Sequence, residues 1–172
     1  MQKLMEGTIK EPALERRPLK IDDIDFMVRL VLNPEVTRYL PGMITDRQMM
    51  ENWIKGLGCR DHEFIVQLGD VKIGECSLTV STDHSAEIGF MLLPEYWGHG
   101  YGTEVVWQLS EKARQLSASE MVATTYASNV AAIKLLMKAG FKKQNIGWML
   151  ALTDDGDGLS GNQTVIQFMR KM

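Results

Sequence analysis

The chain is predicted to fold as a mixed α/β (α+β) protein, a mixed sheet with helices on both faces, and three observations lead there. Runs with a two-residue hydrophobic period interchange with runs of helical period, without the strict alternation of a βαβ protein. The dipeptide Gly69-Asp70 joins two strand-like runs, a hairpin signal. The 172 residues are 45% hydrophobic and 24% charged, an ordinary globular balance, and contain no repeat or linker-like tract, so residues 1–172 are expected to form one domain.

In chain order, Thr8 to Arg17 is expected to form the first strand, ending before Pro18. Asp22 and Asp23 precede Ile24, Met27, Val28 and Val31 at helical spacing, which predicts a helix to Leu32 that stops before Pro34. Asp46 opens a second helix with Met49, Met50, Trp53, Ile54 and Leu57 on its buried face, ended by Gly56 and Gly58. Glu63–Leu68 and Val71–Val80 form the hairpin, and Ala86–Leu93 is a strand stopped by Pro94. Thr103–Leu116 aligns Val106, Leu109, Ala113 and Leu116 on one stripe, with Glu104 in the first turn and Lys112 and Arg114 in the last, as the helix dipole favours. Met121–Thr125 is a short strand. Asn129 caps a helix burying Ala132, Ile133, Leu136 and Met137, which Gly140 ends with Phe141 as its apolar clasp. Ile146–Leu152 and Thr164–Arg170 close the sheet around the polar loop Thr153–Gln163.

Composition excludes several functions. Nineteen Lys and Arg against 22 Asp and Glu give a net charge of −3, opposite in sign to the basic footprint of a nucleic-acid binder and more suited to an amine-bearing substrate. Cys59 and Cys76 have neither the spacing nor the partners of a zinc site, and read as reduced thiols. The first 30 residues are interrupted throughout by charge, and no apolar run approaches a membrane span, so a cytoplasmic protein without membrane contact is expected. The twelve methionines read as flexible core fillers. The acidic loop Asp154–Gly158 invites a calcium reading, but Asp155 as first ligand puts Ile166 where a bidentate glutamate is required. No metal is expected.

Chemistry is concentrated in Pro94-Glu95-Tyr96-Trp97-Gly98-His99-Gly100-Tyr101-Gly102-Thr103, a glycine-rich turn between a strand and an amphipathic helix. Glycines let a backbone approach a ligand closely, and the free N–H groups of a helix's first turn point at an anion. The spacing Gly98-x-Gly100-x-Gly102 fits neither the dinucleotide fingerprint nor a P-loop. It reads as a phosphate cradle, within which His99 is either a cationic aid to the phosphates or a solvent-facing loop residue.

Together with Ser128-Asn129-Val130-Ala131-Ala132 and Gly140-Phe141, this segment resembles the GNAT family, the Gcn5-related N-acetyltransferases. In that family Arg/Gln-x-x-Gly-x-Gly/Ala binds the pyrophosphate of acetyl-CoA; Gly100 and Gly102 match, and Trp97 stands where Arg or Gln is usual. Asn129 and Ala132 match the family's Asn-x-x-Ala helix. Arg16-Arg17-Pro18-Leu19, Asp22-Asp23 and Asn33-Pro34-Glu35-Val36-Thr37-Arg38-Tyr39 look like the start of the RimJ/RimL-type branch, which acetylates ribosomal protein N-termini and other amines. The resemblance implies a GNAT-like domain with a mostly antiparallel, twisted sheet of about seven strands, acting as a monomer or homodimer. It implies an acetyl-CoA-dependent N-acetyltransferase, in which a small-molecule or peptide amine attacks the thioester directly.

The resemblance also distributes roles. Met91, Leu92, Leu93, Trp97, Gly98, His99, Gly100, Tyr101, Gly102, Thr103, Asn129 and Ala132 would bind the cosubstrate, a backbone N–H near Met91 or Leu92 serving as oxyanion donor. An alkylammonium needs a base, and Glu87, on the strand beside the cosubstrate, is the first candidate; Glu75, Asp83 and His84 are alternatives. Leu136 occupies the position of the family's usual tyrosine acid, so Ser128 is the replacement and Tyr126 a weaker one. His62 is expected in a turn, and Trp53, Trp107 and Trp148 as core or groove aromatics. The departures at Trp97 and Leu136 keep an alternative open, a catalytically degenerate CoA-binding module that senses or scaffolds.

Overall fold

In the computed structural model, residues 13–40, 44–57, 61–152 and 159–172 are described. Their strands are β1 (Leu14–Pro18), β2 (Asp61–Leu68), β3 (Val71–Val80), β4 (Ser85–Leu92), β5 (Glu120–Tyr126), β6 (Lys142–Leu152) and β7 (Leu159–Lys171). The α-helices are α1 (Ile24–Val31), α2 (Pro34–Thr37), α3 (Arg47–Gly56), α4 (Tyr101–Gln115) and α5 (Val130–Lys138). The strands form one mixed sheet in the order β1-β2-β3-β4-β5-β7-β6. Every neighbouring pair is antiparallel except β4 and β5, which run parallel.

Alternation along β2 shows how the two faces are covered. Phe64 and Val66 belong to a core with Ile73, Cys76, Leu78, Val105, Val106 and Leu109, which α4 covers and α5 joins through Leu136. Ile65, between them, points the other way into a core with Met27, Leu30 and Val31 of α1 and Met50 and Ile54 of α3. Asp23, 2% exposed, ties α1 to the sheet: its carboxylate accepts hydrogen bonds from Arg17 at 2.7 Å and from the Lys20 N–H at 3.0 Å, and Lys72 lies 2.7 Å away. Burial by itself would raise its pKa, but these hydrogen bonds more than offset that and hold the carboxyl well below the usual range.

Several boundaries differ from expectation. Pro18 lies inside β1 and pairs with Phe64, which an edge strand tolerates because its other side needs no ladder donor; Thr8 lies outside the described residues. A 3-10 turn at Ile21–Asp23 leads into α1, which ends at Val31. The short helix α2 was not anticipated, although Asn33 caps it by accepting the Glu35 N–H at 3.0 Å and Pro34 supplies a preset first-turn φ. Asp46 caps α3 as expected, accepting the Met49 N–H at 2.8 Å, but Met49 itself is 60% exposed because the buried stripe runs through Met50 and Ile54. Met137 is likewise 61% exposed, since α5 buries Leu136 and turns its neighbour to solvent. Trp107 is exposed on α4 and His62 lies in β2, where its ring stacks on Phe64. β7 starts at Leu159, inside the stretch expected to be loop, and β6 starts at Lys142. Gly58, Cys59 and Asp154–Gly158 lie outside the described residues, as does the side chain of Trp148.

Gly74 sits where β3 packs tightly against β4. A Cβ built there would stand 2.3 Å from the Met91 carbonyl oxygen and 3.0 Å from the Leu92 Cα, both main-chain atoms that cannot swing aside. Gly74→Ala is therefore expected to lower the stability of the fold by about 2 kcal/mol or more, read as a shift of the urea denaturation midpoint.

Candidate active site

The parallel ladder between β4 and β5 is short. It registers Ser85 with Glu120, Ala86 with Met121 and Glu87 with Val122, and no later pair. Beyond it each strand keeps its outer partner: β4 stays on β3 to Leu92, and β5 stays on β7 to Tyr126. The two strands thus open a wedge in the middle of the sheet, at their C-terminal ends. The Leu93 N–H donates to the Ile73 carbonyl across β3 at 2.8 Å. Strand alternation then turns the N–H groups of Phe90 and Leu92 toward the wedge and that of Met91 toward β3. Of the N–H groups expected near the reacting carbonyl, that of Leu92 therefore faces the wedge and that of Met91 does not.

A cavity of about 450 Å³ occupies the wedge. Its walls are Ile88 to Leu92 of β4, Ala123 to Thr125 of β5, and Asn129, Ala131, Ala132, Leu135 and Leu136 at α5. The glycine turn contributes Tyr96, Trp97, Gly98, Gly100, Gly102 and Thr103, and the region of α2 contributes Glu35, Val36, Tyr39 and Leu40.

The turn is built as its sequence suggested. Gly98 and Gly100 take φ values of +78° and +88°, which side-chain-bearing residues rarely adopt, and Gly100 is the cap residue immediately before α4. A Cβ at either would meet nothing within 4 Å, so the space over this backbone is open to a ligand. Gly102 serves packing instead: a Cβ there would stand 2.7 Å from the Leu135 Cδ1, so its absence lets α4 approach α5. Trp97 is 45% exposed, and its indole N–H donates to the Leu92 carbonyl at 2.7 Å. It thus closes the wedge-facing acceptor of Leu92 and pins the turn to β4. Asn129 caps α5 by accepting the Ala132 N–H at 3.1 Å.

Not every expected residue reaches the cavity. His99 and Tyr101 stack on one another, ring centroids 5.9 Å apart, outside its lining. Leu93 is buried in the core beneath α1 and α3. Glu87 is exposed, the last residue of β4 in register with β5, and stands just outside the wall that begins at Ile88. Ser128 is exposed and its carbonyl accepts the Val130 N–H; Tyr126 is buried, which raises its phenol pKa. Neither lines the cavity. Asp83 and His84 sit in the turn before β4, where Asp83 accepts the Ser85 N–H and hydroxyl. Leu136, 2% exposed, presents hydrocarbon to the cavity. Glu35 reaches the lining on α2, which the Asn33-Pro34 cap creates within the stretch Asn33–Thr45 that the sequence assigns to the acceptor.

Glu75 is 4% exposed in β3, directly across from Met91 and on the face packed by α1 and α3. Burial, then a hydrogen bond with Glu63 and its charge, pushes its carboxyl well above the usual range.

A model of the acetyltransferase (GNAT) domain family matches residues 14–142. A Bacillus licheniformis protein named as an uncharacterized N-acetyltransferase, p20, is 27% identical over 150 residues, covering 81% of this chain and 84% of that one. The crystal structure of spermidine N-acetyltransferase from Vibrio cholerae, in complex with CoA and spermine, superposes with a TM-score of 0.78 at 19% identity, over 92% of this chain and 95% of that one. An acetyl transferase of Salmonella typhimurium, described as modifying the N-terminal serine of ribosomal protein L7/L12, superposes with a TM-score of 0.75 at 18% identity, over 92% and 95%.

The Oε1 of Glu75 is buried without a hydrogen-bond partner, and removing such an atom relieves a desolvation cost of about 1–3 kcal/mol. Glu75→Met is expected to raise the thermal midpoint. The carboxyl's pKa is raised in the folded chain, chiefly by burial, above that of its unfolded counterpart, so its contribution weakens as pH rises above the ordinary glutamate range. The stability gap between variant and wild type should therefore be wider at pH 8 than at pH 4, as melts at the two values would measure.

Proposed function

The chain belongs to the acetyltransferase (GNAT) family, and from that premise we propose that residues 1–172 act as one N-acetyltransferase domain, moving an acetyl group from acetyl-CoA to a primary amine. The RimJ/RimL-type branch is our reading of its place within the family, supported by the opening motifs and by the likeness to the ribosomal-protein acetyltransferase. The observation that carries the function is the wedge between β4 and β5 running into a glycine turn.

The residues present suit acetyl-CoA. Gly98 and Gly100 leave room above a backbone whose N–H groups lead into the positive end of α4, which fits a pyrophosphate. Trp97 is assigned to holding that turn rather than to contacting phosphate by charge. The free edge of β4 suits an amide-bearing chain laid along it as an extra strand, and the N–H groups of Phe90 and Leu92 would donate to the acyl carbonyl oxygen. Acetyl-CoA, when bound, supplies an activated thioester. We further assign Met91, Leu92, Thr103, Asn129 and Ala132 to its binding, with Leu93, His99 and Tyr101 supporting the turn and strand from outside the lining.

Proton removal is assigned to Glu87. Its exposed carboxylate at the fork of the two strands is suited to taking a proton from the ammonium through water and passing it to solvent. Ser128 keeps the acid role only through a water, and a thiolate whose pKa is ~8.5 can also take its proton from solvent. Leu136 favours a second reading, a CoA-binding module without turnover. Calorimetry with acetyl-CoA and thiol release over a panel of amines separate the two: binding with thiol release supports the enzyme, binding without it the module, and no binding overturns both.

Two substitutions divide the site. Gly100→Val, forced into φ near +88°, should raise the KM for acetyl-CoA at least tenfold and leave that for the amine nearly unchanged. Glu87→Gln should keep acetyl-CoA affinity while lowering kcat by roughly 10²–10⁴-fold, the usual contribution of a general base. A wild-type rate in the latter would move the base to another group.

A further inference from the structure

The face of the sheet packed by α1 and α3 carries three glutamates beside the cavity, and strand register fixes their places. Ile65, Glu75 and Met91 are partners across β2, β3 and β4, and Glu63, Ser77 and Gly89 form the next row. Glu87 lies one row further, partnered with Thr79. Alternation from Ile65, which points into the core under α1 and α3, puts all these positions on one face. Gly89 and Met91 line the cavity, and a Cβ built on Gly89 would stand 2.9 Å from the Ser77 Oγ. The Ser77 hydroxyl therefore leans over backbone that forms the cavity wall.

Glu63 and Glu75 are joined by a hydrogen bond. Two carboxyl groups bond in this way only with a proton between them. Glu75 is 4% exposed and Glu63 half-buried, so burial favours the proton on Glu75 and the negative charge on Glu63. The charged groups of the elements over this face have partners of their own: Asp23 pairs with Arg17 and Lys72, Asp25 and Glu51 with Arg47, and Lys55 with Glu51. Arg29 lies over the Phe26 ring. Glu63 is the charge that acts on Glu75. A buried carboxyl whose Oε1 has no partner costs stability, and a methionine at 75 would avoid that cost while leaving Glu63 without this donor.

An ammonium loses two protons on its way to an amide, and Glu87 is assigned to the first. Building on the acetyl-transfer reading, we propose that the Glu63 carboxylate takes the second through the Ser77 hydroxyl, and that Glu75 is a positioning residue that orients Glu63 by donating a hydrogen bond to it. The nitrogen bonds to the acyl carbon and gives its second proton to the Ser77 oxygen as that oxygen passes its own to Glu63. The carbon–sulfur bond breaks with its electron pair on sulfur, the thiolate takes a proton from solvent, and Glu63 returns one to solvent.

The test measures thiol release by the full chain with acetyl-CoA and three probes, phenethylamine, spermidine and a serine-first tripeptide, and compares variants on the fastest. E63Q and S77A should each lower kcat by about tenfold or more, with the KM for acetyl-CoA unchanged. E75Q keeps a donor for Glu63 and should keep most of the rate. E75M should lose as much as E63Q while melting above wild type, so that the loss is not one of folding. Wild-type kcat should also fall on the alkaline side, above the ordinary glutamate range, as the shared proton leaves the pair, and E75Q should lack that limb. A wild-type kcat in E63Q, equal kcat in E75M and E75Q, or an alkaline limb unchanged in E75Q overturns the proposal. The infrared band of a protonated carboxyl, read on the chain alone at pH 6, reports the pair without turnover. Its absence, or its persistence in E75Q, overturns the pair; its presence with no thiol release from any probe overturns acetyl transfer, and the proton role with it.

Discussion

Hydrogen bonding between β4 and β5 stops after Glu87 and Val122, and the arrangement of the site follows from that stop. A sheet strand that loses one neighbour exposes N–H and C=O groups that must find other partners or meet water or a ligand. Here the outer ladders persist, to β3 on one side and to β7 on the other, so the opening stays a wedge and does not become a frayed end. Trp97 caps one freed carbonyl, at Leu92, and by doing so fastens the glycine turn to the lip of the opening. Gly102 lets α4 close against Leu135 of α5, which completes the far wall. Wedge, turn and helix ends are therefore parts of one construction.

The face packed by α1 and α3 carries two buried carboxyls with opposite solutions. Asp23 is surrounded by the donors of Arg17, Lys72 and Lys20, and remains ionised while joining α1 to β1 and β3. Glu75 has Glu63 as its neighbour, and burial first, then Glu63, pushes its carboxyl well above the usual range. The first arrangement is a clamp and the second a tolerated strain, one strand away from the cavity wall at Met91. Cys76, next to Glu75 but facing the other core, is a free buried thiol whose pKa is raised chiefly by burial. It has the character of a small hydrophobe.

Local chemistry was legible where one residue decides the outcome. Asn129 and Asp46 cap helices by their own side chains, Gly140 ends α5 at φ +86°, and Gly69 turns the hairpin that joins β2 to β3. The glycine turn was legible for the same reason, because positive φ at Gly98 and Gly100 is a property of those residues. Boundaries were less so. Pro18 stays in a strand because its strand is the sheet's edge, and Met49 and Met137 are exposed because the buried stripes pass one residue away. Apolar periodicity identifies a face within about one residue's rotation, which is too coarse to decide such positions.

The sequence by itself determined the fold class, the glycine turn, the capped helix after it and the family those two segments indicate, since each depends on residues close together in the chain. Only the tertiary structure decided which groups share the cavity. Glu87 lies just outside it, Ser128 and Leu93 face elsewhere, and Glu35, 55 residues before Phe90, forms part of the same wall. The reason is geometric: strand pairing sets where β4 and β5 part, and helix docking sets which end of α2 meets that opening. Neither depends on any one stretch of sequence.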